Sequence, residues 1–133
     1  MYKKIEGFYQ EDLIKSGLDI KDVHILRYML DFMDSGILRK RIIDGKDFYW
    51  IRTDLIIEDN PILKINLKNS IRKRIKKLID KEFLEYVNYK KGTNKTLYRR
   101  GKALEKIEDK NYKRDLSYFI KGYSWNKEEY YKI

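Results

Sequence analysis

Residues 66–81 read Asn-Leu-Lys-Asn-Ser-Ile-Arg-Lys-Arg-Ile-Lys-Lys-Leu-Ile-Asp-Lys. Apolar residues recur here every three or four positions, at Leu67, Ile71, Ile75, Leu78 and Ile79. This spacing places them along one side of a helix, which can bury that side against a core. Asn66 is of the residue type that caps helix N-termini. The stretch therefore predicts an amphipathic helix with Asn66 as its N-cap.

The face opposite the apolar stripe is cationic. At about 100° per residue, it carries Asn69, Lys73, Lys76, Lys77 and Asp80, and Ser70, Arg72 and Arg74 lie at its margins. A solvated helix face normally mixes charges of both signs, whereas no acid occurs here between Leu67 and Leu78. The pattern favours a helix that contacts a polyanion, with a solvated lysine-rich surface as the ordinary alternative.

The charge of the whole chain is concentrated around this helix. The net charge is +10, and residues 61–102 contain 14 Lys and Arg against 3 Asp and Glu. The residues before and after this segment are close to neutral. A concentrated basic patch favours a polyanionic partner, such as nucleic acid or an anionic membrane surface.

Length and composition limit the class of protein. The 133 residues suffice for one core, and the hydrophobic content of 42% predicts that the chain folds. The absence of cysteine excludes disulfides and thiolate metal sites. No segment resembles a signal peptide or approaches the roughly 18 apolar residues of a membrane span. We therefore expect a soluble, cytoplasmic protein with no membrane partner.

The elements before the basic helix are predicted from caps and breakers. Asp19 is placed to cap a helix over 20–35, which is apolar over more than half its circumference and therefore central in the core. A short helical turn over 11–14 precedes it. The segment 37–43 is interpreted as a connector, 48–51 as a strand, and 54–59 as a short helix that Thr53 caps and Asn60-Pro61 ends.

The elements after the basic helix begin with a hairpin. Two strand-like runs, 84–89 and 96–100, flank a loop that contains Gly92, a typical hairpin arrangement. Residues 102–109 are predicted to be helical. A final amphipathic helix is predicted from an apolar stripe of five residues, Tyr112, Leu116, Phe119, Ile120 and Tyr123.

This order of elements predicts an α+β domain that is mainly α. The expected architecture is a winged helix-turn-helix with a three-stranded antiparallel sheet and extra terminal helices. We divide the chain into an N-terminal lead-in (1–17), a winged helix-turn-helix DNA-binding domain (18–105), and a C-terminal amphipathic helix and tail (106–133).

Several blocks of the sequence also carry a family resemblance. They are DGKDFYWIR (44–52), LIIEDNPIL (55–63) and IRKRIKKL (71–78), with LDIKDVHILRY (18–28) and KKGT (90–93) in support. In these blocks the chain resembles the winged-helix DNA-binding domain of phage and plasmid replication initiators and replisome organisers. The resemblance covers about residues 13–105. It implies sequence-specific binding of double-stranded DNA during replication initiation, with replication proteins as further partners.

The predicted DNA-binding residues come from the basic helix and the hairpin. We expect Asn69, Arg72 and Lys73 to reach base edges, and the lysines of the hairpin tip to contact phosphates. The full predicted set is Lys68, Asn69, Ser70, Arg72, Lys73, Lys76, Lys77, Lys90, Lys91, Lys95 and Arg99.

Catalysis is not predicted. His24 is the single histidine, the glycines are isolated, and the acids Glu58-Asp59 beside a helix end are typical of a solvated surface. We therefore expect neither enzymatic activity nor a cofactor nor a metal site.

Two other functions and one structural question remain open at this stage. The same fold could serve a transcriptional regulator or a conjugation accessory protein, or the chain could be a protein-interaction module. The stripe Tyr112, Leu116, Phe119, Ile120 and Tyr123 is either a homodimer interface or a helix that folds back onto its own domain.

Overall fold

The structure, a computed structural model, describes residues 2–90, 92 and 94–122. The predicted site residues Lys91 and Tyr123 lie outside these residues. In chain order the elements are β1 (Lys4–Ile5), β2 (Phe8–Tyr9), α1 (Gln10–Lys15), α2 (Ile20–Asp34), β3 (Lys40–Ile43), β4 (Lys46–Trp50), α3 (Thr53–Asp59), α4 (Lys68–Asp80), β5 (Leu84–Tyr89), β6 (Lys95–Arg100) and α5 (Ser117–Gly122). Short 3₁₀ turns lie at Pro61–Leu63 and Leu104–Lys106.

Helix α2 is the centre of the core, as predicted. Its N-terminus is a capping box in which the side chains of Asp19 and Asp22 each accept a hydrogen bond from the other's backbone N–H. Its buried residues include Ile25, Leu26 and Phe32, all fully enclosed. α4 packs against both α2 and α3.

The main sheet has four antiparallel strands in the order β3-β4-β6-β5. β3 and β4 are joined by Asp44 and Gly45, which both have positive φ, as the tightest hairpin turns require. The sequence predicts a connector over residues 37–43, because the run mixes basic and apolar residues. Pairing with β4 nevertheless makes 40–43 an edge strand, which the local pattern did not indicate.

The predicted fold class is therefore wrong. Helices make up 44% and strands 22% of the structure, so the protein is not mainly α. The larger sheet has four strands instead of three, and β1 and β2 form a second, two-stranded sheet. The sequence pattern missed β1 and β2 because each strand has only two residues.

The N-terminal segment packs against the end of the domain. Phe8 is fully buried, and the backbone N–H of Tyr9 donates to the carbonyl of Ile107 at 2.8 Å. The N–H of Asp109 donates to the carbonyl of Gly7 at 2.7 Å. The two-stranded sheet thus joins the chain before α1 to the segment after β6.

Helix α4 confirms the prediction of a basic amphipathic helix, but the prediction that Asn66 is its N-cap is wrong. The cap is Leu67, and no side chain makes a capping hydrogen bond. Ile71, Ile75 and Leu78 are buried as predicted, whereas Leu67 is 67% exposed. Lys64, with a φ of 55°, ends the 3₁₀ turn before the helix, and α4 begins at Lys68, one residue later than an N-cap at Asn66 would require.

The C-terminal helix begins later than predicted. α5 begins at Ser117, so Tyr112 and Leu116 precede it and do not share one helical stripe with Phe119. Asp115 accepts hydrogen bonds from the backbone N–H and the hydroxyl of Ser117, at 3.0 and 2.6 Å. Such a side-chain turn favours a helix start at this point. Likewise, the helix predicted over 102–109 is only the 3₁₀ turn Leu104–Lys106.

Of the helices that the structure describes, none is both apolar enough and long enough to cross a membrane.

Candidate nucleic-acid interface

The outward face of α4 presents polar and cationic side chains to solvent. Asn69, Lys73 and Lys76 are exposed, and Lys76 pairs with Asp80 one turn later at 3.2 Å. A guanidinium N–H of Arg72 donates to the amide oxygen of Asn69 at 3.1 Å and orients that side chain. Within the described residues, Lys73 makes no ion pair. This face is the most accessible part of the predicted DNA-binding set.

One residue of the predicted set, Lys77, contacts α2 instead. The carboxylate of Asp22 is completely buried and is contacted by Lys77 Nζ at 2.7 Å and by Arg74 Nη1 at 2.9 Å. Arg74 also contacts Asp19 at 2.7 Å. Burial opposes ionisation of Asp19, but the hydrogen bonds from Arg74 and from the Asp22 backbone lower the pKa of Asp19 to about 2. Lys77 therefore lies in an ion-pair cluster that holds α4 on α2. Ser70, also in the predicted set, is half-buried.

The predicted cations of the β5–β6 hairpin also differ in their surroundings: some lie near the tip and one is paired with an acid. Lys90 is exposed at the end of β5. Lys95 begins β6, with its Nζ 5.0 Å from the ring centre of Trp50. Arg99 lies further along β6, where Nη1 contacts Glu85 on the paired strand at 2.8 Å. Lys90 and Lys95 thus remain near the tip, whereas Arg99 belongs to a cross-strand ion pair.

A groove of about 240 Å³ runs between α4 and the hairpin. Arg72, Lys76 and Ile79 line one side, and Tyr86, Asn88 and Thr96 line the other. Tyr98 closes the bottom, and burial raises the pKa of its hydroxyl to about 12, with the charge of Arg72 acting in the opposite direction. The helix and the hairpin therefore line one shared groove, whose floor includes the apolar side chains of Ile75 and Ile79.

Comparison of the chain with protein-family models, curated proteins and solved structures finds no match. The case for a function thus depends on the residues and geometry of this chain. Among the described residues, no three His, Asp or Glu side chains are close enough together to hold a metal ion.

Sequence reasoning missed the residues that β4 and its following turn contribute near α4. Trp50, Arg52 and Thr53 lie beside Lys68 and Arg72, across a cavity that the hairpin also lines. Trp50 was interpreted only as a strand residue, and Thr53 only as a cap. No local signal could identify them, because the contact depends on how β4 and β6 are paired.

His24, predicted to be an ordinary helix residue, joins three segments. Its Nδ1 lies 2.8 Å from the carboxylate of Glu6, and its Nε2 lies 2.8 Å from the amide oxygen of Asn60. Asn60 is oriented by its own donation to the carbonyl of Ile56 at 2.8 Å. Because both ring nitrogens face acceptors, the protonated ring is favoured. The hydrogen bond to Glu6 raises the pKa of His24, against the effect of burial.

The predicted dimer stripe is largely occupied within the chain itself. Phe119 is buried and stacks on Phe32, with ring centres 4.5 Å apart. The ring of Tyr112 lies against Gly7 and under the guanidinium of Arg27, at 4.8 Å. Leu116 is half-buried, and Ile120 is 51% exposed. These contacts favour the fold-back alternative over an interface formed by the whole stripe.

Proposed function

We propose that this protein binds double-stranded DNA, with α4 in the major groove and the β5–β6 hairpin on the neighbouring backbone. The observation that carries the proposal is the outward face of α4. Asn69, Lys73 and Lys76 are exposed there, while Ile71, Ile75 and Leu78 anchor the opposite side in the core. The major groove admits an element of helix width, and only residues on a protruding face can reach base edges.

The charge distribution supports the same arrangement. Residues 61–102, which include α4 and the hairpin, contain 14 Lys and Arg against 3 Asp and Glu. In the structure, Lys90 and Lys95 lie on either side of the hairpin tip, and Lys68 is the first residue of α4. Cations at these flanking positions suit phosphates on either side of a groove, since phosphate contacts orient a protein on the duplex and carry no base information.

The biological role that we propose is initiation of phage or plasmid DNA replication, in the cytoplasm and together with replication proteins. It depends on the resemblance of the blocks 44–52, 55–63 and 71–78 to replication initiators and replisome organisers. Mapping the preferred binding sites tests this role: repeats at a replication origin support it, whereas promoter sites indicate a transcriptional regulator.

Binding itself is tested by fluorescence anisotropy with a labelled mixed-sequence duplex. We expect the wild-type chain to bind with a strong salt dependence, and Lys73→Gln to bind more weakly. Lys110→Gln is the matched control, because it removes the same charge from an exposed side chain that pairs with Glu105 and belongs to neither α4 nor the hairpin. Equal losses in the two variants, or no binding by the wild type, would contradict the proposal.

A further inference from the structure

The groove of about 240 Å³ between α4 and the β5–β6 hairpin has a helical wall and a sheet wall. The helical wall is one stripe of α4, at the i, i+3, i+4 and i+7 positions Arg72, Ile75, Lys76 and Ile79. The sheet wall consists of alternate residues on two paired strands, Tyr86 and Asn88 on β5 and Thr96 and Tyr98 on β6. Alternate residues of a strand share one face of the sheet, so the two walls follow from helix and strand periodicity.

The side chains on this face of β5 become more exposed toward the hairpin tip. Leu84 is buried, whereas Tyr86, two residues further along the strand, is 51% exposed. On the facing wall, Ile75 is buried and Ile79 is half-buried. A tyrosine ring and apolar side chains therefore border a space that the described residues leave open.

Polar groups also line the groove. The hydroxyl of Thr96 donates to the amide oxygen of Asn88 at 3.3 Å. Arg72 and Lys76 contribute two exposed cations. Among the described residues that line the groove, Asp80 is the only acid, and it pairs with Lys76 at 3.2 Å. Both side chains of this pair are more than half exposed. An exposed ion pair contributes little, so Lys76 can exchange Asp80 for a phosphate.

We propose that this groove binds one unpaired nucleotide of a DNA strand, with its base against Tyr86 and its phosphate near Arg72 and Lys76. The inference rests on the proposed function and deepens it, because it makes a locally opened duplex the preferred ligand. Aromatic side chains stack on any base, and cations beside them bind the backbone. A phosphate alone would leave the apolar part of the lining unused. At about 240 Å³, the groove is smaller than typical small-molecule pockets of roughly 300–1,000 Å³, which suits a single base.

The position of the groove explains why the bound DNA is the source of the nucleotide. In the proposed arrangement, α4 lies in the major groove and the hairpin lies on the neighbouring backbone, so the groove between them faces the duplex. In paired DNA, stacked neighbours cover both faces of each base. Only an extruded or unpaired base can therefore place its face against Tyr86.

Three duplexes of one mixed sequence test the proposal by fluorescence anisotropy. The first is fully paired, the second has one central bulged adenine, and the third has an abasic residue in place of that adenine. The abasic bulge controls for flexibility, because it keeps the backbone and lacks only the base. We expect the wild type to bind the adenine bulge at least about fivefold more tightly than the abasic bulge, the lower end of the roughly 5- to 150-fold that base stacking on an aromatic ring contributes.

Three variants test the role of the ring. Tyr86→Ala should abolish the preference for the adenine bulge, whereas Tyr86→Phe should retain it, because stacking needs the ring and not the hydroxyl. Tyr2→Ala is the matched control, since it removes a tyrosine that is 62% exposed and belongs to neither α4 nor the hairpin. Circular dichroism checks that each variant is folded. The comparison of the adenine and abasic bulges uses the wild type alone and does not depend on the variants.

The possible outcomes separate this inference from the proposed function. Equal affinity of the wild type for the adenine and abasic bulges, or an unaltered preference in Tyr86→Ala, would overturn the base site while DNA binding stands. Excess deoxyadenosine monophosphate should not displace the adenine-bulge duplex, and displacement would overturn the DNA strand as the source. Absence of binding to all three duplexes would overturn both proposals.

Discussion

The completely buried carboxylate of Asp22, on α2, accepts a hydrogen bond of 2.7 Å from the ammonium group of Lys77, on α4. Arg74 contacts the other oxygen of the same carboxylate at 2.9 Å. Removing one partner of a buried charge leaves the other uncompensated. This cluster therefore fixes the rotation of α4 on the core, and with it the set of residues that α4 turns outward.

The first prediction concerns Lys77, which we expect to stabilise the fold instead of binding DNA. Lys77→Ala should lower the free energy of unfolding by about 1 kcal/mol, below the roughly 1.5–3 kcal/mol of charged hydrogen bonds, because its side chain is 40% exposed and Arg74 remains. Urea unfolding measures this loss. Lys73→Ala is the control, with unchanged stability and weaker DNA binding. The reverse pattern in the two variants would show that Lys77 contacts DNA.

The second prediction concerns base reading by Asn69. An amide that reaches a base edge contributes roughly 1–3 kcal/mol of discrimination, so Asn69→Ala should flatten the preference between the best site and a scrambled site while nonspecific affinity survives. Competition binding with the two duplexes measures the ratio. An unchanged ratio would contradict the prediction that Asn69 contacts a base edge.

The third prediction concerns the two kinds of cation on the hairpin. Lys90 is exposed, so Lys90→Gln should weaken binding to all sequences alike and reduce the salt slope by about 0.9. Arg99→Gln is the matched control on the paired strand. Because Arg99 contacts Glu85 at 2.8 Å, its replacement should leave the salt slope unchanged. If Lys90→Gln affects one sequence only, the hairpin reads bases.

The fourth prediction is a pH dependence of stability that arises from His24. The pKa of His24 is raised, first by its hydrogen bond to Glu6, so the stabilisation is fully present below the ordinary value of about 6.5. It is lost as the pH rises through the raised pKa. The difference in unfolding free energy between wild type and His24→Gln should therefore shrink between pH 6 and pH 9. Glu6→Gln should remove most of this pH dependence, and a difference that grows with pH would refute the assignment.

The fifth prediction tests whether the C-terminal segment folds back. Phe119 stacks on Phe32 in the core, and loss of a buried phenylalanine typically costs about 3–5 kcal/mol, so Phe119→Ala should be strongly destabilising. Ile120→Ala, at the exposed neighbouring position, should change stability by less than about 0.5 kcal/mol. Light scattering on the wild type and on Ile120→Glu checks the alternative: a dimeric wild type that Ile120→Glu converts to a folded monomer would indicate an interface.

Sequence alone determined the elements whose hydrogen bonds and periodicity are local. The apolar spacing in 66–81 predicted α4, and the loop around Gly92 predicted the β5–β6 hairpin. Asp19 predicted the start of α2, where its side chain forms a capping box with Asp22. Each of these signals involves residues only a few positions apart, whose side chains meet whenever the helix or hairpin forms.

Tertiary structure alone decided the features that depend on long-range pairing. Residues 40–43 become a strand only because β4 offers them a partner, and this turned a predicted three-stranded sheet into one of four strands. Lys73 and Lys77 look alike in the sequence, but only Lys77 meets the buried Asp22, 55 residues away. The cavity beside Trp50 likewise exists because β6 extends past β4. Charge and periodicity define which residues can be buried or paired, whereas sheet register and helix rotation select the partner.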